Sequence, residues 1–206
     1  MTRDDQDEAK KELAGVNPSD ASGLTARQIE AAAEALRAGD PVGTAENLRT
    51  ALHVMPAELS SSGARVTVPL CSALAKDAAD LRSDEVVELA VEIVCRGAAS
   101  IGTDARYVLL FLGARLALCG YLQFAIRVNE IWVRIEDEHG DGSPYASGAH
   151  FSLAYLLAEG NRFPEANREL TLGVEIATRD NQNCDDARAL LDHGGFSVGV
   201  SLDTPG

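Results

Sequence analysis

The chain has 206 residues, enough to bury a substantial apolar core in one extended or one globular unit, and nothing in that length demands two domains. Hydrophobic residues make up 46% and charged ones 24%, which excludes disorder of the chain as a whole, while an aromatic share of 5% and an Ala- and Leu-rich palette suit packed helices and not β-sandwiches. A formal net charge of -14, with lysine only at Lys10, Lys11 and Lys76, argues against nucleic acid or an anionic membrane surface as partner, because phosphate binding needs clustered cations.

The start, MTRDDQDEAKKE, is acidic and lacks the apolar run of a secretory signal, so a cytoplasmic location is expected. Residues 1–23 read as a flexible acidic arm ending in the turn-rich run from Asn17 to Gly23. A helical repeat domain is expected over 24–193 and a tail over 194–206. The first helical pair covers 24–39 and 42–55, with Asp40 as N-cap, Pro41 at the first helical position and Pro56 as the stop. Residues 57–65 read as a loop, and the next pair as 69–82 and 84–99. The third pair spans 104–118 and 121–134, broken at Cys119-Gly120. An acidic surface loop, Glu136 to Gly142, follows. The fourth pair spans 145–159 and 164–179, broken at Gly160-Asn161, and a last helix covers 184–192. The most apolar stretch, 107–135, is interrupted by Arg115, Arg127 and Arg134 and so is not a membrane span.

The four hairpins share a spacing: a small residue, Leu three later, Ala nine after that. It occurs as Ala33, Leu36, Ala45; Ala78, Leu81, Ala90; Gly113, Leu116, Ala125; and Ala154, Leu157, Ala166. Such a pattern lets two helices approach closely at a small-residue crossing while the Leu fills the same face. At these residues the sequence resembles the tetratricopeptide family. Gly39-Asp40, Gly120-Tyr121 and Gly160-Asn161 match that family's turn and Pro56 its closing proline, whereas Leu81-Arg82-Ser83 departs from it. Unit starts at Ala33, Ala78, Gly113 and Ala154 are 45, 35 and 41 residues apart, longer than the family's period of about 34. The resemblance covers residues 24–180 and implies an all-α, right-handed α-solenoid of about four helix-turn-helix hairpins plus a C-terminal helix.

Cys71, Cys95, Cys119 and Cys184 stand apart without metal-ligand spacing and read as reduced, mostly buried thiols. His53, His139, His150 and His193 fall in different units and read as solvated or capping residues. The 136–142 loop lacks the carboxylate order of a calcium-binding EF-hand, and no phosphate loop or nucleophile motif is present. No cofactor, metal or catalytic residue is expected.

The resemblance directs attention to a groove lined by the first helix of each hairpin. Its expected residues are Arg27, Glu30, Glu34 and Arg37, then Ser72, Lys76 and Arg82, then Tyr107, Phe111, Phe151, Ser152 and Tyr155. That groove is charged at one end and aromatic at the other. The implied function is a protein- or peptide-binding scaffold, acting as adaptor, regulator or chaperone-like protein and taking a basic or apolar helix. The alternatives are a self-associating module that dimerises through the third unit and Trp132, and an all-α enzyme of unknown type.

Overall fold

The computed structural model of the chain describes residues 21–57, 59–139, 143 and 145–197. The expected acidic arm lies outside them up to residue 20, as does the end of the tail. Of the described residues 81% are helical and none forms a strand. In chain order the helices are α1 (Ala21–Arg37), α2 (Pro41–Val54), α3 (Ser61–Asp80), α4 (Asp84–Ala98), α5 (Arg106–Leu118), α6 (Leu122–His139), α7 (Ala146–Glu159), α8 (Phe163–Arg179) and α9 (Asp185–Asp192), with a short 3-10 turn at Gly102–Ala105. They pack as the hairpins α1/α2, α3/α4, α5/α6 and α7/α8, and α9 lies against α8. No described helix is long and apolar enough to cross a membrane.

The punctuation has a uniform geometry. Gly39, Arg82, Gly120 and Asn161 close the four hairpins with positive φ, and Asn181 and Gly194 repeat the device on either side of α9. After each, the next N–H reaches back five residues: Asp40 to the Ala35 carbonyl, Ser83 to Ala78, Tyr121 to Leu116, and Arg162 to Leu157. This is the left-handed helix stop that satisfies orphan carbonyls. Asp40 caps α2 by accepting from the Gly43 N–H at 2.9 Å, with Pro41 behind it. Met55 then ends α2 ahead of Pro56.

Three expectations need correction. First, α3 begins at Ser61, not near residue 69, and runs through Pro69. Ser60 caps it, accepting from the Gly63 N–H at 3.2 Å. The early turns bury Ala64, Val66 and Val68. Two buried valines contribute about 1.5–3 kcal/mol each, enough to offset the cost of about 3 kcal/mol for a proline inside a helix. Second, α6 continues past residue 134 to His139, and Glu136, expected in a surface loop, is 1% exposed. Its carboxylate is bound by Arg106 and Trp132, which removes the desolvation penalty that would have kept it outside. Third, the shared spacing is not in one structural register. Gly113 and Ala154 each stand seven residues before the left-handed turn residue, but Ala33 stands six before and Ala78 four. Leu81 accordingly falls at the end of α3 and is 64% exposed, while Leu36, Leu116 and Leu157 are buried.

Stacking of neighbouring hairpins shows its own period. Polar side-chain ties join residues between 35 and 39 positions apart: Arg49 to Glu85, Arg65 to Asp104, Arg82 to the Cys119 carbonyl, Arg115 to Asp80, Tyr121 to Asp84, Arg127 to Glu92, Tyr107 to Tyr145 and Ser147 to Gln182. Most are exposed and contribute little individually. Through the first three hairpins, first helix packs on first (α1 on α3, α3 on α5) and second on second (α2 on α4, α4 on α6). The fourth hairpin instead docks principally through α7 on α6.

Candidate functional site

Helix α5, RYVLLFLGARLAL, is apolar on all sides, a pattern that normally means a helix covered all round. Leu109, Leu112 and Leu116 are fully buried, and Gly113 meets α6 so closely that a Cβ there would collide with the Asn129 amide. The opposite face is open. Tyr107, Phe111 and Leu118 are 53%, 61% and 81% exposed, with exposed Ala114 between them. Positions i, i+4, i+7 and i+11 fall on one stripe of a helix, so these side chains form a continuous apolar surface.

Polar contacts hold both ends of this stripe. At the N-terminal end the Tyr107 and Tyr145 hydroxyls are 2.8 Å apart and the rings meet edge to face at 5.9 Å. The Arg106 guanidinium lies 4.2 Å over the Tyr145 ring and forms a two-pronged ion pair with Glu136, Nε to Oε1 at 2.6 Å and Nη2 to Oε2 at 3.0 Å. Burial pushes the Glu136 carboxyl upward, but the hydrogen bonds from Arg106, Ser143 and Trp132 prevail and hold it below the usual glutamate range. At the other end Arg115 pairs with Asp80 of α3 and Arg82 donates to the Cys119 carbonyl. The hydrogen bond from Arg115 holds Asp80 below its ordinary value, whereas burial pushes its neighbour Asp77 upward and Lys76 downward.

The expected groove residues divide accordingly. Tyr107 and Phe111 share the stripe. Arg27, Glu34 and Arg37 are exposed on α1 and Glu30 is half-buried there. Lys76 is half-buried on α3, and Arg82 occupies the α3/α4 turn. Ser72 is 2% exposed and its hydroxyl has no hydrogen-bond partner, so it faces the core. Phe151 lies against α8, where a Cβ on Gly173 would strike its ring, and Ser152 donates to Asn129 of α6 at 2.8 Å. Tyr155 packs edge to face on Phe196 at 5.4 Å. Phe151 and Ser152 are thus engaged within the last hairpin and its surroundings, whereas Tyr155 remains 40% exposed beside its contact with Phe196.

Several contributors lay outside the expected set. Leu118 extends the stripe, and its signal was the apolar run of α5, interrupted inside the helix by Arg115. Trp132, expected on a dimer face, is 3% exposed and donates from Nε1 to Glu136 at 3.0 Å, so it is not available to a partner. His150 is neither solvated nor capping. It is 2% exposed, with Nδ1 2.7 Å from Glu169 of α8 and Nε2 3.3 Å from Asp137 of α6. Burial disfavours its charged ring, yet the two carboxylates raise its pKa above the ordinary histidine value. His53 and His193 are exposed. Cys71, Cys95 and Cys184 are buried free thiols and Cys119 is half-buried. Burial pushes the Cys95 thiol up to about 11 and Cys71 higher still, which keeps both protonated at neutral pH. The chain matches no family model and no curated protein.

Proposed function

We propose that the chain is a tetratricopeptide-like, right-handed helical solenoid that works as a cytoplasmic binding scaffold, an adaptor, regulator or chaperone-like protein, and that α5 is the centre of its binding face. The supporting observation is the uncovered stripe of Tyr107, Phe111 and Leu118 on a helix whose other faces are packed. Contiguous exposed apolar surface of this kind marks interaction sites, and aromatic residues are enriched at interface hot spots. The ligand that fits is an amphipathic helix of another protein, with apolar residues at i, i+3/i+4 and i+7 to cover the stripe. Basic flanks would suit a chain of net charge -14.

The test is selection from a displayed library of amphipathic helical peptides against the parent protein and a Phe111→Ser/Leu118→Ser variant. Both side chains are exposed, so the variant should keep its helicity and melting temperature. Parent protein should enrich apolar, basic helices that the variant fails to hold. Equal enrichment by both would refute the assignment of the stripe. A homodimer formed through the same stripe is the competing reading, and sedimentation equilibrium separates it: the parent would double in mass with concentration and the variant would not.

A further inference from the structure

We propose that Tyr155 and Asn167 form a second acceptor site, for a peptide segment carrying an aromatic residue after a left-handed glycine, and that the chain's own Gly195-Phe196 occupies it as an intramolecular ligand. This site lies at the far end of the array and does not depend on the α5 stripe.

The Asn167 side chain, on α8, donates from Nδ2 to the Phe196 carbonyl at 3.0 Å and accepts from the Phe196 N–H at 2.7 Å. One amide thereby satisfies both main-chain polar groups of a single residue, the pair of bonds a neighbouring strand would supply. Such a contact reads a peptide backbone and not a side chain. Specificity comes from the two positions beside it. The Phe196 ring is 4% exposed and meets Tyr155 of α7 at an interplanar angle of 78°. Gly195 has φ +71, and a Cβ there would run into the Asn167 amide, so the residue before the aromatic must be glycine.

The segment's connection to the fold is suited to exchange. It leaves α9 through Gly194 and Gly195, both left-handed, whose N–H groups bond back to Leu191 and Leu190 at 2.9 and 2.8 Å. The surface it covers belongs to the last hairpin, where in a repeat array a further unit would stack. A tethered segment competes at a high effective concentration, so the site should be closed to free peptide until the segment is displaced.

The experiment uses the full chain and a fluorescein-labelled peptide of residues 191–198, LDHGGFSV, with a Phe-to-Ala version of the peptide as control. Phe196→Ala protein should bind the labelled peptide at least tenfold more tightly than the parent by fluorescence anisotropy. Adding Asn167→Ala, or using the control peptide, should remove that gain. Gly195→Ala serves as a second opening variant, because it keeps the ring while its methyl displaces the segment. The proposal is overturned if the opened proteins, with parental helicity, bind no better than the parent, or if Asn167→Ala changes nothing. Loss of fold in both opening variants also overturns it, since the segment would then be an inseparable part of the core. In the Phe196→Ala background, Phe111→Ser should leave peptide capture intact. Loss of capture there would mean one site and not two.

Discussion

Replacing Glu136 by Ala should be among the most damaging single changes at the α5/α6 hairpin. The Glu136 side chain is wholly buried and that of Arg106 is 17% exposed. Among the described residues, truncation leaves the guanidinium with the Ser143 hydroxyl at 3.2 Å and the Tyr145 ring, and strips Trp132 Nε1 of its acceptor. Breaking a buried ion pair by removing one partner costs about 3–5 kcal/mol. The part-exposed Arg106 places this case near the lower end, about 3 kcal/mol, or roughly 6–12 °C in melting temperature for a domain of this size. Urea unfolding followed by far-ultraviolet circular dichroism measures it, with fluorescence of Trp132, the single tryptophan, as a local probe. Because the folded-state pKa of Glu136 is depressed, its contribution is present above the ordinary value of 4.5 and lost as pH falls through the folded value. The deficit of the variant should therefore shrink in acid. Replacing both partners, Arg106→Met with Glu136→Leu, should restore most of the stability, since no unpaired charge remains. A loss below about 1 kcal/mol for Glu136→Ala, or a double variant as unstable as the single one, would refute the claim that the pair organises this hairpin.

Two further expectations concern the core. Thr67 is fully buried on α3 and its hydroxyl has no hydrogen-bond partner, so Thr67→Val, which keeps the shape, should raise stability by about 1 kcal/mol in urea titration; a loss of that size would mean the hydroxyl is satisfied. His150 carries the opposite pH sign to Glu136: its raised pKa means that its contribution is fully present below about 6.5 and declines as pH rises through the folded value. Melting temperature should fall more steeply between pH 6 and 9 in the parent than in His150→Gln, and parallel curves would show that the Asp137–His150–Glu169 contact carries no proton-linked stability.

The parts of the fold legible in sequence were those set by local chemistry. Proline at 41 and 56, glycine at 39 and 120 and asparagine at 161 act on φ or on a backbone donor within one or two residues, and the helix ends fall beside them. What was not legible depended on partners distant in the chain. Arg82 adopts φ 56 although it is neither Gly nor Asn, and its guanidinium reaches the Cys119 carbonyl 37 residues away. Pro69 stays inside α3 because valines on the preceding turn are buried. Glu136 enters the core because Arg106, 30 residues earlier, meets it. The small-Leu-Ala spacing fell within the four hairpins but not in one register, since many alanines here are buried and the pattern alone cannot choose between Ala32 and Ala33 or between Ala75 and Ala78. At the site, Tyr107 and Phe111 followed from their helical spacing. Phe151 has the same spacing to Tyr155 yet packs inward, because Gly173 opens a place for its ring on α8.

The uncovered face of α5 has a structural cause in the junction between the third and fourth hairpins. Continued first-on-first stacking would set α7 beside α5, as α5 is set beside α3. Instead, buried polar contacts hold α7 to α6: Asn129, oriented by its own bond to the Ala125 carbonyl within α6 at 2.9 Å, accepts from Ser152 of α7, and His150 reaches Asp137 near the end of α6. Asn129 is 1% exposed, so these bonds are made where an unpaired amide would be costly. Gly113 is part of the same arrangement, since any side chain there would displace the Asn129 amide. With α7 held on α6, the described contacts that span the gap at the start of α5 are the Tyr107–Tyr145 pair and the Arg106 guanidinium over the Tyr145 ring, and the stripe from Phe111 to Leu118 is exposed. The exposed face of α5 is therefore a consequence of the α6/α7 polar contacts, which keep α7 from covering it.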